Sequence, residues 1–178
     1  MKAFFDIDTQ IDFLFPAGAL YVPGAERLIP AVARLNRLAM QKSIPLISTM
    51  CAHPENAEEF RVWPPHCVAG TVGQRKPAAL LVGASQAFLE KNELDLFSNP
   101  AAERLVDELN IDECCVYGVA LDHCVRCAVL GLLKRGRRVH LVLDAVAAVS
   151  KEAGDRALQD FAREGGSPYE VCQSSQLE

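Results

Sequence analysis

The sequence predicts an α/β domain built on a mostly parallel sheet. Short β-rich runs alternate with segments of helical period, the pattern of parallel strands joined by crossover helices. A length of 178 residues suits one compact domain, here read as residues 1–178. Half of the residues are hydrophobic and 23% are charged, which supplies a core and argues against disorder or a coiled coil.

Ala3 to Ile7 forms the first predicted strand, Ile44 to Thr49 the second and Gln86 to Glu90 a weak third; Cys114 to Val119, Val139 to Leu143 and Tyr169 to Cys172 complete six. Between the first two, Leu28, Val32, Leu35 and Ala39 share a helical face, with Pro30 tolerated only in the first turn. Ala102, Leu105, Val106 and Leu109 repeat the pattern behind Asn99 as cap and Pro100 at the first helical position. His123 to Arg135 is apolar on most sides and reads as a buried helix closed by Lys134, Arg135 and Gly136. Ser150 caps a last helix that turns Ala157, Leu158, Phe161 and Ala162 to the sheet and ends at Gly165 and Gly166. Cys51 to Pro77 fits no element and holds six prolines and glycines. Such a long excursion from the carboxyl end of a strand, where open α/β sheets bind ligands, reads as functional.

Charge and hydropathy exclude several partners. The net charge is −5, and no cluster of Lys or Arg offers a nucleic-acid or anionic-membrane surface. Apolar runs are too short to span a membrane, and the chain opens on a strand-like segment rather than a signal peptide, so a cytoplasmic protein is expected. Seven scattered cysteines, an odd number, are read as reduced thiols.

Cys124 follows the strand Cys114 to Val119 at the start of the buried helix, where free N–H groups and the helix dipole are expected to lower its thiol pKa. Asp8 ends the first strand, which neighbours the fourth at the switch point of a doubly wound sheet, so it can reach Cys124. A carboxylate beside a thiol can take its proton, and a lysine near both can hold the pair together; Lys91, just past the third strand, qualifies by position.

Three segments carry a resemblance. Asp8-Thr9-Gln10-Ile11-Asp12-Phe13 resembles the opening motif of the isochorismatase-like cysteine hydrolases. Trp63-Pro64-Pro65-His66-Cys67-Val68-Ala69-Gly70-Thr71 is similar to a segment of their nicotinamidase branch. Gly118-Val119-Ala120-Leu121-Asp122-His123-Cys124-Val125 resembles the nucleophile segment. The resemblance implies a three-layer sandwich with strand order 3-2-1-4-5-6 and an Asp8, Lys91, Cys124 triad that hydrolyses a small amide through a thioester. It further implies an oxyanion hole from the backbone N–H groups of Ala120 and Cys124, beside a cis peptide at Val119-Ala120. Phe13 and Trp63 would flank the substrate ring, nicotinamide being the leading substrate, in a homo-oligomeric enzyme. A divalent metal such as zinc is implied at Cys51, His53, Glu59 and His66. Cys51 stands where the branch carries an aspartate, leaving two readings: a site shifted toward a softer metal, or a site lost.

Plainer readings compete. A cysteine after a strand is most often core, Asp12 is expected to cap the turn after the first strand, and Lys91 alone is a solvated charge. Cys124-Val125-Arg126-Cys127 is also a Cys-x-x-Cys, which would make a thiol redox or binding module; that leaves Asp8, Lys91 and the Trp63 segment unexplained. Hydrolysis of another small amide or carbamoyl compound without a working metal is the second enzyme reading. Ether hydrolysis of isochorismatase type ranks lower because it needs no nucleophilic cysteine. Cys114 and Cys115 are read as core, and His123 as satisfying local hydrogen bonds.

Overall fold

The computed structural model describes residues 1–84, 86–164 and 169–177. Its strands are β1 (Lys2–Ile7), β2 (Leu46–Cys51), β3 (Gln86–Lys91), β4 (Glu113–Val119), β5 (Arg138–Ala147) and β6 (Tyr169–Cys172). They form one sheet in the order β3-β2-β1-β4-β5-β6, every pairing parallel. The helices are α1 (Ile11–Leu14), α2 (Ile29–Gln41), α3 (Pro100–Glu108), α4 (Cys124–Lys134) and α5 (Lys151–Glu164).

Strand alternation divides the core into two layers. Ala3, Phe5 and Ile7 of β1 pack with Val116, Val125, Val129 and Phe161 beneath α3, α4 and α5. Phe4, Cys115 and Tyr117 point the other way, against Val32, Leu35 and Ala39 of α2. Both strands are buried on both faces, as central parallel strands between helices must be. Among the described residues no helix is long and apolar enough to cross a membrane.

The helix starts follow local chemistry. Asn99 Oδ1 accepts from the Ala101 amide at 2.9 Å with Pro100 next to it, and Ser150 Oγ accepts from Ala153 N at 3.2 Å. Several expectations shift. β5 runs on to Ala147, past the expected end at Leu143. β2 runs on to Cys51 because its ladder with β3 continues to the Cys51–Lys91 pair. On α5 the buried stripe is Gly154, Ala157 and Phe161, while Ala162, one helical step round from Phe161, is exposed. The expected end at Gly165 and Gly166 lies outside the described residues.

The excursion after β2 is not structureless. It contains a 3-10 turn, Glu58–Arg61, and a parallel bridge between His53 and Val68. Asp12 fastens it: Oδ2 accepts from Cys67 N at 2.7 Å and Oδ1 from Ala19 N at 3.1 Å. Gln10 adds a clip to β2, taking the Cys51 amide at 2.7 Å and giving its side-chain N–H to Cys51 O and Gln74 O.

Candidate active site

All six strands point the same way, so the carboxyl ends of β1, β2, β3 and β4 open on one edge of the sheet. Asp8 lies one residue past β1, Lys91 is the last residue of β3, and Cys124 begins α4 behind the loop that leaves β4. Asp8 adopts φ +48, a left-handed conformation that costs energy for a non-glycine residue and aims the carboxylate back over the sheet. Gly118 lets β4 approach β1 closely: a Cβ there would stand 2.0 Å from Ile7 O, and its φ is +120. The next peptide, Val119-Ala120, is cis, at the position the resemblance implies.

The three side chains meet. Lys91 Nζ is 2.7 Å from Asp8 Oδ2 and 3.5 Å from Cys124 Sγ, and it also donates to Glu93 O at 3.0 Å. Thr49 Oγ1 donates to Asp8 Oδ1 at 2.6 Å. Cys51 joins this group: its sulfur is 3.4 Å from Lys91 Nζ and 3.6 Å from Asp8 Oδ2. The donor atoms of Asp8, Cys51 and Cys124 all lie within 4.8 Å of one another.

Burial alone would push the Asp8 carboxyl up, but the charge of Lys91 and hydrogen bonds from Lys91, Thr49 and Cys124 hold it below the usual carboxylate range. Lys91 is desolvated too, yet Asp8 and the two sulfurs raise it well above an ordinary lysine. The Cys124 thiol departs from expectation. Its hydrogen bond with Cys51 and its burial push it well above the usual thiol value, outweighing Lys91 beside it. The resting arrangement is therefore a carboxylate, an ammonium and a protonated thiol.

A pocket opens onto the sulfur, lined by Phe13, Trp63, Val119, Ala120, His123 and Cys124 among others. Trp63 meets the His123 ring edge to face, with centroids 5.4 Å apart, so His123 is part of the wall; its Nδ1, expected to satisfy local hydrogen bonds, is buried without a hydrogen-bond partner, 3.2 Å from Asp122 Oδ2. Among the described residues, the backbone amides of Ala120 and Cys124 donate to no protein acceptor. Free N–H groups of two residues that line one pocket are the kind of donors that stabilise a developing oxyanion.

A second group meets the same pocket through Glu59 and His66. His53, Glu59 and His66 bring one donor atom each within 4.8 Å of the others. Glu59 reaches His66 Nε2 at 3.5 Å and His53 Nε2 at 3.8 Å. His66 Nδ1 is bound to Pro64 O at 2.8 Å, which leaves the Nε2 lone pair facing Glu59. Both ring nitrogens of His53 are buried without a hydrogen-bond partner. Burial also lowers the His53 pKa, favouring the neutral imidazole that ligates metals. Phe60 packs on both imidazoles, with centroids 5.6 Å from each. Two histidines, a carboxylate and an orphaned buried nitrogen fit a divalent ion with open positions. Cys51 does not close up with this trio; its sulfur faces the Asp8 group instead.

A family model described as an isochorismatase domain matches residues 2–171. The chain belongs to that family. Its relatives include the nicotinamidase/pyrazinamidase of Mycobacterium tuberculosis, 28% identical over 90% of this chain and 94% of that protein. Among solved structures, the pyrazinamidase of Pyrococcus horikoshii in complex with zinc is 28% identical, with a TM-score of 0.88 over 97% of this chain and 98% of that one. PnC1 from L. infantum in complex with nicotinate is also 28% identical, with a TM-score of 0.87 over 98% of this chain and 93% of that one.

Sequence reasoning passed over one part of this isochorismatase fold. Beneath the pocket Asp6 is fully buried, accepting from Thr9 Oγ1 at 2.6 Å, Ser48 Oγ at 3.1 Å, Asn36 Nδ2 at 3.2 Å and Lys76 Nζ at 3.2 Å. Lys76 also donates to Thr9 at 2.8 Å, so a residue of the long excursion is pinned under the first strand.

Proposed function

We propose that this protein is a cysteine amidohydrolase, spanning residues 1–178, that cleaves a small carboxamide through a thioester and releases ammonia, with nicotinamide the leading substrate. The observation that carries the reading is the convergence of Asp8, Lys91 and Cys124, with Cys124 lining a pocket that Phe13, Trp63 and His123 also line.

In this reading Asp8 takes the proton from the Cys124 thiol as the sulfur attacks the amide carbon. A thiol held protonated at rest suits that order, because the nucleophile is formed only when a base and a substrate are both in place. Lys91 balances the charge that passes between carboxylate and sulfur. The oxyanion is met by the N–H groups of Ala120 and Cys124. Asp8 returns its proton to the departing nitrogen, ammonia leaves, and the acyl group stays on sulfur. Water then attacks the thioester with Asp8 as base, giving the carboxylate product and restoring the thiol. Phe13 and Trp63 hold the ring of the substrate. His53, Glu59 and His66 would hold a divalent ion such as zinc, which when bound supplies a Lewis-acid contact for a substrate donor atom. The resemblance further implies a homo-oligomer, and the short apolar runs of the sequence suit a cytoplasmic protein.

Ammonia release from nicotinamide, with an acyl adduct on Cys124 caught by acid quench and mass spectrometry, is the expected result. No ammonia and no adduct from nicotinamide or another small aromatic carboxamide overturns the reading. A second reading, another small amide or carbamoyl compound cleaved without metal, is favoured by Cys51 standing away from the histidine trio. Turnover that withstands exhaustive chelation would select it.

A further inference from the structure

The ammonium of Lys91 sits where a metal ion could sit. Around Nζ stand Asp8 Oδ2 at 2.7 Å, Glu93 O at 3.0 Å, Cys51 Sγ at 3.4 Å and Cys124 Sγ at 3.5 Å. Three of these four are side chains that ligate metals once deprotonated, and their donor atoms lie within 4.8 Å of one another. In a tetrahedral zinc thiolate, Zn–S bonds of about 2.3 Å set two sulfurs about 3.8 Å apart, a spacing small side-chain shifts can reach here. A disulfide would need them at about 2.04 Å, a far larger closure from the end of β2 and the start of α4, which follows β4, with β1 between the two strands. Both sulfurs line the pocket, so an ion has a path to them. The donor set is also softer than the nitrogen and oxygen set of His53, Glu59 and His66. Cys51 makes the difference: without it the cluster holds one sulfur and one carboxylate.

We propose that Asp8, Cys51 and Cys124 form a second metal site, selective for thiophilic divalent ions, in which the ion displaces the Lys91 ammonium and blocks the nucleophile. Two thiol protons pass to solvent on binding, and no oxidation occurs. That a bound ion stops turnover rests on the amidase reading; the binding itself does not.

Cadmium titrated into the purified protein tests this, read by ultraviolet sulfur-to-cadmium charge transfer beside ammonia release from nicotinamide. The expected result is a charge-transfer band that grows as activity falls, both reversed by chelator. Cys51→Ser should weaken the band and raise the inhibiting cadmium concentration by about tenfold or more. Cys127→Ser and Cys172→Ser should leave the titration unchanged. Mapping of iodoacetamide-labelled peptides in wild-type protein needs no variant: cadmium should shield Cys51 and Cys124 together. Absence of the band, a band indifferent to Cys51→Ser, or alkylation of both residues despite saturating cadmium overturns the proposal. So does a band lost in His53→Ala, which would assign the sulfur to the histidine trio. A band and paired shielding in a protein that releases no ammonia would uphold the metal site and count against the amidase reading alone.

Discussion

Lys91 Nζ and Asp8 Oδ2 meet at 2.7 Å although a whole strand, β2, separates the strands that lead to them. The lysine side chain reaches past the end of β2, and both charges are almost wholly buried there. Neither ion would be tolerated alone at that depth, since an unpaired buried charge costs several kcal/mol. The pair therefore fixes the geometry of the sulfur beside it as well as its electrostatics.

Asp8→Asn and Cys124→Ala should each lower kcat for the amide substrate by about a thousandfold or more, with the double variant little worse than either single one. Groups that act as one unit lose the same step whichever is removed. Steady-state kinetics on the four proteins checks it, and multiplicative losses would mean the two residues act separately.

Lys91→Met should cost about 3–5 kcal/mol of stability besides its effect on rate, because it strands the Asp8 carboxylate without a cation. Asp8→Asn in the same background should recover part of that loss. Urea midpoints of the single and double variants read it; a Lys91→Met protein as stable as wild type would contradict the buried ion pair.

Stability of the metal-free protein should fall as the pH drops below about 6.5, the ordinary histidine value. His53 has its pKa lowered by burial, so above that pH the group is neutral in both states and contributes no slope. Below it, the unfolded chain takes up a proton that the folded chain refuses until its own lower pKa is reached. In that window this one site steepens the loss by up to about 1.4 kcal/mol per pH unit. His53→Gln should flatten the urea midpoint against pH by that amount; an unchanged slope would remove His53 as its source.

The sheet could be read in the sequence because its signals are local, whereas Lys91 alone reads as a solvated charge and joined Asp8 and Cys124 through the family resemblance. Alternating period placed six strands, and the ends of β1 and β3 carried Asp8 and Lys91 to one edge. What the sequence concealed is set by distant neighbours. β2 outlasts its apolar run because β3 continues the ladder, so its end could not be seen at Thr49. Cys51 was grouped with His53 by resemblance, yet on a strand Thr49 and Cys51 share a face, and both reach Asp8. With the strand read as ending at Thr49 that period does not extend to Cys51; once β2 runs on, it points to the observed cluster. The thiol pKa went the other way because a helix N-terminus is a local cue, whereas burial and a second cysteine are not. Lys76 gave no signal at all: a cation next to Arg75 in an irregular stretch finds its carboxylate 70 residues away.

Lys76→Met should destabilise the protein by about 3–5 kcal/mol, since it leaves the fully buried Asp6 carboxylate with neutral donors only. Pairing it with Asp6→Asn should restore much of the loss, the coupling expected of direct partners. Amide exchange near residues 67–77 should also quicken in the single variant, because Lys76 anchors that stretch beneath β1. Exchange unchanged from wild type would show the excursion to be held by Asp12 and Gln10 alone.

Trp63 is the sole tryptophan of the chain and lines the pocket, so every change in tryptophan emission reports on that wall. A planar ring entering between Trp63 and Phe13 displaces water from the indole and stacks against it, which should alter emission in proportion to occupancy. Nicotinate, the expected product, should therefore change the fluorescence saturably without any label. Cys124→Ala should keep this response while losing turnover, which separates binding from chemistry. Trp63→Ala should raise KM by about tenfold with a smaller change in kcat, the pattern of a contact made equally in substrate and transition state. Emission that stays constant at saturating nicotinate, together with an unaltered KM in Trp63→Ala, would place the ring elsewhere in the pocket and leave Trp63 as a wall residue packed on His123.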